Sequence, residues 1–211
     1  DYGVYVDFID GFNDLRANHP DVMQQNLATT IRINNEAAGN PAAISRAQMD
    51  AAADKAGLLT AFSDALGEEL GGHFRDALRE NRLPKTNYLF GNGYLARAGG
   101  LASSTFAEKT YYGYERPFVV APDKINRYDL PGEDFYGDSK AFPSGHTNQA
   151  TWSTTLLALA VPELGPQLVA RGSEAGYNRM VMGVHYPLDV IGGRMTGQAA
   201  AADRLNDDRM R

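Results

Sequence analysis

The sequence predicts an all-α protein, a helical bundle folded as a single domain over residues 1–211. Three observations carry that expectation. Apolar residues recur at three- and four-residue spacing along several long stretches. Cap and breaker residues sit between those stretches, as helix boundaries require. No stretch alternates apolar and polar residues as a half-buried strand would, and there is no repeat or low-complexity segment.

The elements follow in order. Asp1–Pro20 carries Val4, Val6, Phe8, Ile9 and Phe12, and reads either as a short helix or as an arm packed on the body. Asp21 is expected to cap a helix in which Val22, Met23, Asn26, Leu27, Thr30 and Ile31 recur at helical spacing. Gly39-Asn40-Pro41 ends that helix and opens the next, with Asn40 as cap and Pro41 at the first position; the Ala-rich Ala42–Lys55 follows. Gly57 interrupts. Leu58, Phe62, Leu66, Leu70, Phe74 and Leu78 then lie four apart, which predicts one long amphipathic helix with a kink at Gly71-Gly72 and a stop at Pro84. Tyr88–Lys109 reads as helical with Gly-rich interruptions, and holds Lys109 in its last turn. Ala121–Phe142, punctuated by Pro122, Pro131, Gly132 and Gly137, is a long loop of the kind usually tied to function. Thr147–Ala160 is a small-residue helix, Glu163–Arg179 a helix broken near Pro166, and Pro187 begins the last helix. Residues 206–211 form a frayed, charged tail.

Composition narrows the function classes. A net charge of −6 argues against a general nucleic-acid partner, so any anion site is local. With no cysteine there is no disulfide, thiolate zinc site or cysteine nucleophile. The longest apolar run, Leu156–Val161, has six residues, far short of the roughly 18 a membrane span needs. The chain starts at Asp1 without Met, which fits a removed signal peptide or a trimmed chain.

One stretch has the makings of an anion site. In Ala141–Thr147, Pro143 is stiff, Ser144 can cap a helix or donate its hydroxyl, and Gly145 allows close backbone approach. The first amides of the following helix point outward, and His146 stands where a proton could pass. Upstream, Lys109 and Arg116 are separated by six residues; downstream, Arg179, five residues, His185, three residues and Asp189 complete the pattern. Arginine forks can each grip two oxygens of a tetrahedral anion, and lysine adds a point charge. A carboxylate four residues after a histidine can hold one ring nitrogen and leave the other to attack.

These three segments, in this order and spacing, resemble the signature of the type 2 phosphatidic acid phosphatase superfamily. That superfamily includes secreted bacterial class A acid phosphatases, membrane lipid phosphatases and vanadium haloperoxidases. The resemblance implies the all-α bundle of the acid phosphatase/vanadium haloperoxidase type, and a phosphomonoesterase needing no metal and no cofactor. It implies His185 as nucleophile forming a phosphohistidine, His146 as general acid and then base, and Asp189 as the residue orienting the nucleophile. Lys109, Arg116, Ser144, Gly145 and Arg179 would hold the phosphoryl oxygens. Vanadate or phosphate would bind as inhibitor or product, and transfer of phosphate to an alcohol is open to any covalent phosphoenzyme. The expected partners are small phosphate monoesters in the periplasm or outside the cell, without nucleic acid or membrane insertion; a homodimer is left open.

Two positions depart from the pattern: Asn178 replaces the usual Ser before the second Arg, and Tyr186-Pro187-Leu188 after the nucleophile fits the wide superfamily better than its secreted acid phosphatases. The alternatives are a vanadium-dependent haloperoxidase with His185 as axial ligand, a lipid phosphate phosphatase, and a phosphate-binding module without catalysis. Tyr111, Tyr112 and Tyr114 could stack on substrate or belong to the core. Asp123, Asp129, Glu133, Asp134 and Asp138 could form a calcium site or, on their spacing, a solvated acidic lip. His19 and His73 match no motif and read as ordinary surface or helix residues.

Overall fold

The computed structural model describes residues 5–53, 57–90, 105–206 and 208, and among them every regular element is a helix. Residues 1–4, 54–56, 91–104, 207 and 209–211 lie outside the described residues. So do the corresponding parts of the expected arm, the Ala-rich helix, the Tyr88–Lys109 helix and the tail.

The helices are α1 (Gly11–Asn18), α2 (Pro20–Ala37), α3 (Pro41–Ala51), α4 (Leu58–Phe62), α5 (Glu68–Arg79), α6 (Pro84–Phe90), α7 (Phe106–Tyr112), α8 (Pro117–Val120), α9 (Gly145–Ala160), α10 (Gly165–Val181) and α11 (Pro187–Asn206). Short 3-10 turns lie at Val6–Phe8, Ser63–Leu66 and Pro162–Leu164. No described helix is long and apolar enough to cross a membrane.

Local chemistry accounts for most boundaries. Asn40 caps α3, its side-chain oxygen accepting from Ala43 N at 3.1 Å, with Pro41 in the first turn. At α2 the expected cap is wrong by two residues. Pro20 opens that helix, His19 is its N-cap without a side-chain bond, and Asp21 lies inside the first turn, where a carboxylate complements the helix dipole. Pro166 likewise opens α10 and does not break it, because a missing N–H costs nothing in the first turn.

The long helix expected over Leu58–Leu78 is two helices. Gly67, at φ 83°, ends the Ser63–Leu66 turn and starts α5 in a new direction. Only a residue without Cβ takes that conformation cheaply. Gly71 is then no kink but a contact: a Cβ there would fall 2.5 Å from the Ser63 carbonyl oxygen. Helix α5 also ends before Pro84. Asn81 adopts φ 54°, and the amides of Asn81 and Arg82 bond back to Leu78 O and Ala77 O at 3.1 and 2.8 Å, closing the helix end.

Helix α9 is the axis of the bundle. Of its first ten residues all but His146 are buried, and α10 and α11 pack along it. The approach is close because glycines face it. A Cβ on Gly193 would meet Ser144 O at 2.5 Å, and one on Gly197 would meet Asn148 O at 2.7 Å. From α10, Gly176 meets the Thr147 methyl at 3.0 Å. The apolar core flanks this contact, with Trp152, Phe62, Leu58 and Ala201 in one cluster and Ile33, Phe118, Met182 and Val184 in another. The N-terminal segment packs behind the loop that leads into α9, with Phe12 stacked on Phe142 at 3.7 Å.

Gly193→Ala is expected to destabilise by about 1–3 kcal/mol, since its methyl must push a buried backbone oxygen. Gly72→Ala, with only Arg75 near at 3.9 Å, should stabilise by about 0.5–1 kcal/mol. Denaturant midpoints of the two variants moving in the same direction would contradict this packing.

Candidate active site

Three chain segments converge on one cavity of about 160 Å³. Lys109 comes from the last turn of α7, and Arg116 from the extended residue that caps α8. Gly145 and His146 are the first residues of α9, Arg179 lies in the last turn of α10, and His185 sits in the bend before α11. All six line the cavity. The long loop closes the other side with Glu133, Asp134, Phe135, Gly137 and Ser139, and Ala51 at the end of α3 completes the wall.

Hydrogen bonds define the imidazole of His185. Its Nδ1 lies 3.0 Å from Asp189 Oδ2, which also accepts Tyr186 N at 2.9 Å. Its Nε2 lies 2.9 Å from an Arg116 guanidinium nitrogen. Guanidinium can only donate, so Nε2 presents its lone pair and Nδ1 carries the proton toward the carboxylate. Arg116 is itself clamped. It donates to Val184 O at 2.9 Å, Ser139 O at 2.7 Å and Ser139 Oγ at 2.7 Å. Lys109 Nζ donates to the carbonyls of Lys140 and, at 3.1 Å, Ala141. The His146 Nε2 lies 3.0 Å from the Ala51 carbonyl, so that nitrogen carries a proton and exchange with a ligand falls to Nδ1.

Charge in this cavity is crowded and dry. Burial, then Arg116, Lys109 and Arg179, hold the His185 imidazole well below its usual range. Burial and Arg179 do the same to His146, against its hydrogen bond to Ala51. Burial and Arg116 push the Lys109 ammonium down, against the pull of Asp189. Burial raises the Asp189 carboxyl, opposed by the Tyr186 amide and by Lys109 and Arg116. Both imidazoles are therefore neutral in the empty site at pH 7, and a tetrahedral anion would relieve the repulsion among the cations.

Ser144 and Asp189 stand behind the cavity wall. Ser144 is fully buried and caps α9, its Oγ accepting Thr147 N at 3.2 Å and the Thr147 hydroxyl at 2.8 Å; its own N–H donates to Asp189 O at 3.0 Å. The Phe142–Pro143 peptide just before it is cis. Tyr112 is core, with its hydroxyl on Val6 O at 2.8 Å, and Tyr114 packs on Phe12 and Tyr186. Tyr111 is exposed, and none of the three lines the cavity. Among the described residues no group of three or more acidic or imidazole side chains is arranged to hold a metal ion, and of the loop carboxylates Glu133 and Asp134 line the cavity. His19 and His73 are on the surface. Sequence reasoning missed Ser139 and the Ala51 carbonyl. Ser139 carried no signal beyond being polar in a long loop, and a backbone acceptor carries none.

A helical bundle that brings two imidazoles and three cationic side chains to one small cavity defines a site suited to an anion. The sequence profile of the PAP2 superfamily matches residues 88–203, and the chain belongs to that superfamily. It is 35% identical over 103 residues to the non-specific acid phosphatases of Salmonella typhi and Salmonella typhimurium, covering 49% of this chain and 40% of each relative. It is 29% identical over 157 residues to the non-specific acid phosphatase of Providencia stuartii, covering 74% of this chain and 58% of the relative. The matches thus span roughly half the length of these relatives.

The departure at Asn178 has a structural partner. Its Nδ2 donates to Asp50 Oδ2 at 2.7 Å. Asp50 is also gripped by both terminal nitrogens of buried Arg171, one at 3.0 Å. Arg171 Nε reaches Asp64 at 3.0 Å, and Asp64 pairs with Arg46, which grips Glu174. This chain of charges ties α3, α10 and the Ser63–Leu66 turn together. Asp50→Ala would take from buried Arg171 its only fully buried carboxylate and leave it the half-exposed Asp64, and a loss of about 3 kcal/mol is expected. A thermal midpoint unchanged by that substitution would show the pair to be idle.

Proposed function

We propose that this protein is a metal-independent phosphomonoesterase, an acid phosphatase working through a phosphohistidine. The observation that carries this reading is the polarised imidazole of His185, backed by Asp189 and facing a cavity shared with His146, Lys109, Arg116 and Arg179. Identity to proteins named non-specific acid phosphatase supports it.

The chemistry follows from the geometry. A phosphate monoester places its non-bridging oxygens among Lys109, Arg116, Arg179 and the N-terminal amides of α9. A phosphoryl oxygen takes over the Arg116 N–H that the empty site directs at His185 Nε2, and this exposes the lone pair. Nε2 attacks phosphorus in line with the ester oxygen. The P–N bond forms, the P–O bond breaks, and His146 gives its proton to the departing alkoxide. Asp189 holds the Nδ1 proton and stabilises the positive charge on the ring. Water then attacks phosphorus, His146 takes its proton, the P–N bond breaks and phosphate leaves. An alcohol in place of water gives phosphotransfer. Export to the periplasm or medium belongs to the same proposal and rests on the family resemblance.

Purified protein is expected to hydrolyse p-nitrophenyl phosphate in EDTA and to be inhibited by vanadate. His185→Ala should abolish both turnover and phosphoenzyme labelling. His146→Ala should cost about 10²–10⁴-fold with alkyl phosphates and least with p-nitrophenyl phosphate, whose leaving group needs little protonation. Loss of all activity on chelation, or labelling that survives His185→Ala, sinks the mechanism.

The pH dependence has a definite sign. His146 must enter protonated, and burial among cations sets its pKa below 6.5 in the free enzyme. The competent fraction is therefore full only on the acid side and is lost as pH rises. His185, depressed by the same causes, keeps its lone pair into that acidic range. kcat/KM for an alkyl phosphate should peak below pH 6.5; a profile still climbing at pH 8 overturns the assignment of His146.

A further inference from the structure

We propose that three buried polar residues on one face of α2, Asn26, Thr30 and Asn34, are positioning residues that set the attack geometry of His185. The inference rests on the reading of His185 as nucleophile. It concerns residues that touch neither the cavity nor the expected ligand.

The need arises from the backbone. Helix α10 ends at Val181 and α11 begins at Pro187, so the chain must turn within Met182–Tyr186 to aim His185 into the cavity. Met182, Val184, His185 and Tyr186 are all buried, and the last carbonyls of α10 and first amides of α11 have no partner within their own helices. Buried backbone groups must be paired. Backbone amides of the bend pair some of them, Gly183 N on Met180 O at 2.9 Å and Val184 N on Arg179 O at 3.2 Å, and side chains pair others, three of them from α2. Asn34 Nδ2 donates to Val181 O at 2.8 Å, at the end of α10. Thr30 Oγ1 shares its proton between the carbonyl of His185 itself, at 3.2 Å, and Asn26 O, at 3.3 Å. Asn26 Oδ1 accepts Leu188 N at 2.9 Å, in the first turn of α11.

The three lie four residues apart and so share one face of α2. In sequence order Asn26, Thr30 and Asn34 meet the start of α11, the carbonyl of His185 and the end of α10, so the face runs antiparallel to the bend. The bend lies directly against them. At Gly183, where φ is 68°, a Cβ would stand 3.0 Å from Asn34 Nδ2 and 2.4 Å from Ile125. The bend is also held from its far side, by Tyr136 hydroxyl on Met182 O at 3.0 Å and Arg116 on Val184 O. With Thr30 bonded to the carbonyl of His185, a shift of that bond turns the imidazole relative to phosphorus. Attack geometry is sensitive on the scale of 1 Å, where a displacement costs about 10²-fold in rate.

The test compares Thr30→Val, which keeps the shape and removes the hydroxyl, with Thr30→Ser, which keeps the hydroxyl. For Thr30→Val the expected result is a fall in kcat of about 10- to 100-fold with KM little changed, slower phosphohistidine formation in single turnover, and recovery in Thr30→Ser. A Thr30→Val protein that melts earlier but turns over at the wild-type kcat overturns the inference and leaves a merely structural bond. Should Thr30→Val not accumulate as folded protein, Asn26→Ser, which draws the acceptor away from Leu188 N, is expected to give the same split of kcat from KM, and an unchanged kcat again overturns it. Absence of phosphatase activity in the wild-type chain would instead fault the catalytic reading. The positioning is then read from the ring ¹⁵N signals of His185, which should move in Thr30→Val; identical signals would overturn it.

Discussion

The site depends on how near α11 comes to the start of α9. Gly193 and Gly197 present no side chain there, so the Ser144 carbonyl and the Asn148 carbonyl can rest against the helix. That contact lets Ser144 N donate to the Asp189 carbonyl at 3.0 Å. One backbone bond thereby joins the segment that carries His146 to the residue that orients His185. Two groups remote in sequence acquire a fixed relation without any long side chain spanning the gap.

Around that joint the protein gathers positive charge where water is scarce. An isolated buried cation is costly, and three together more so. Carbonyls offset part of the cost: Lys109 points at Lys140 and Ala141, and Arg116 at Ser139 and Val184. Carbonyl dipoles hold the cations in place without neutralising them. The charges stay available to an incoming anion, with the Arg116 N–H on His185 the one bond to be handed over, and such preorganisation is the condition for strong electrostatic stabilisation.

Much of this was legible in the sequence. The helical class, the Asn40 cap and the long loop followed from local chemistry. Of the residues that face the cavity, Lys109, Arg116, His146, Arg179 and His185 were identified by charge or imidazole type at a spacing, and Gly145 by its place ahead of a helix. What was not legible has a common cause. Asn26 and Thr30 fall at helical spacing with Val22, Met23, Leu27 and Ile31 and carried no signal beyond that spacing, because periodicity records which face is buried and not what that face meets. Gly67 ended a helix that the leucine spacing continued through, because the spacing is blind to a positive φ. Ser139 and the carbonyl of Ala51 act through tertiary placement alone. Asp21 and Pro166 were misplaced by a turn or less, since several residues near a helix start can serve as its boundary.

Asp50 and Ala51 are neighbours in the chain with opposite duties. The carboxylate of Asp50 faces inward to Arg171 and Asn178, while the carbonyl of Ala51 faces the cavity and meets His146. The His146 imidazole is therefore oriented by a peptide unit whose own position is anchored in an ionic cluster. Anyone diversifying this scaffold inherits that linkage: residues 50, 171 and 178 share one set of hydrogen bonds and are best exchanged together or left alone, even though none of them lines the cavity.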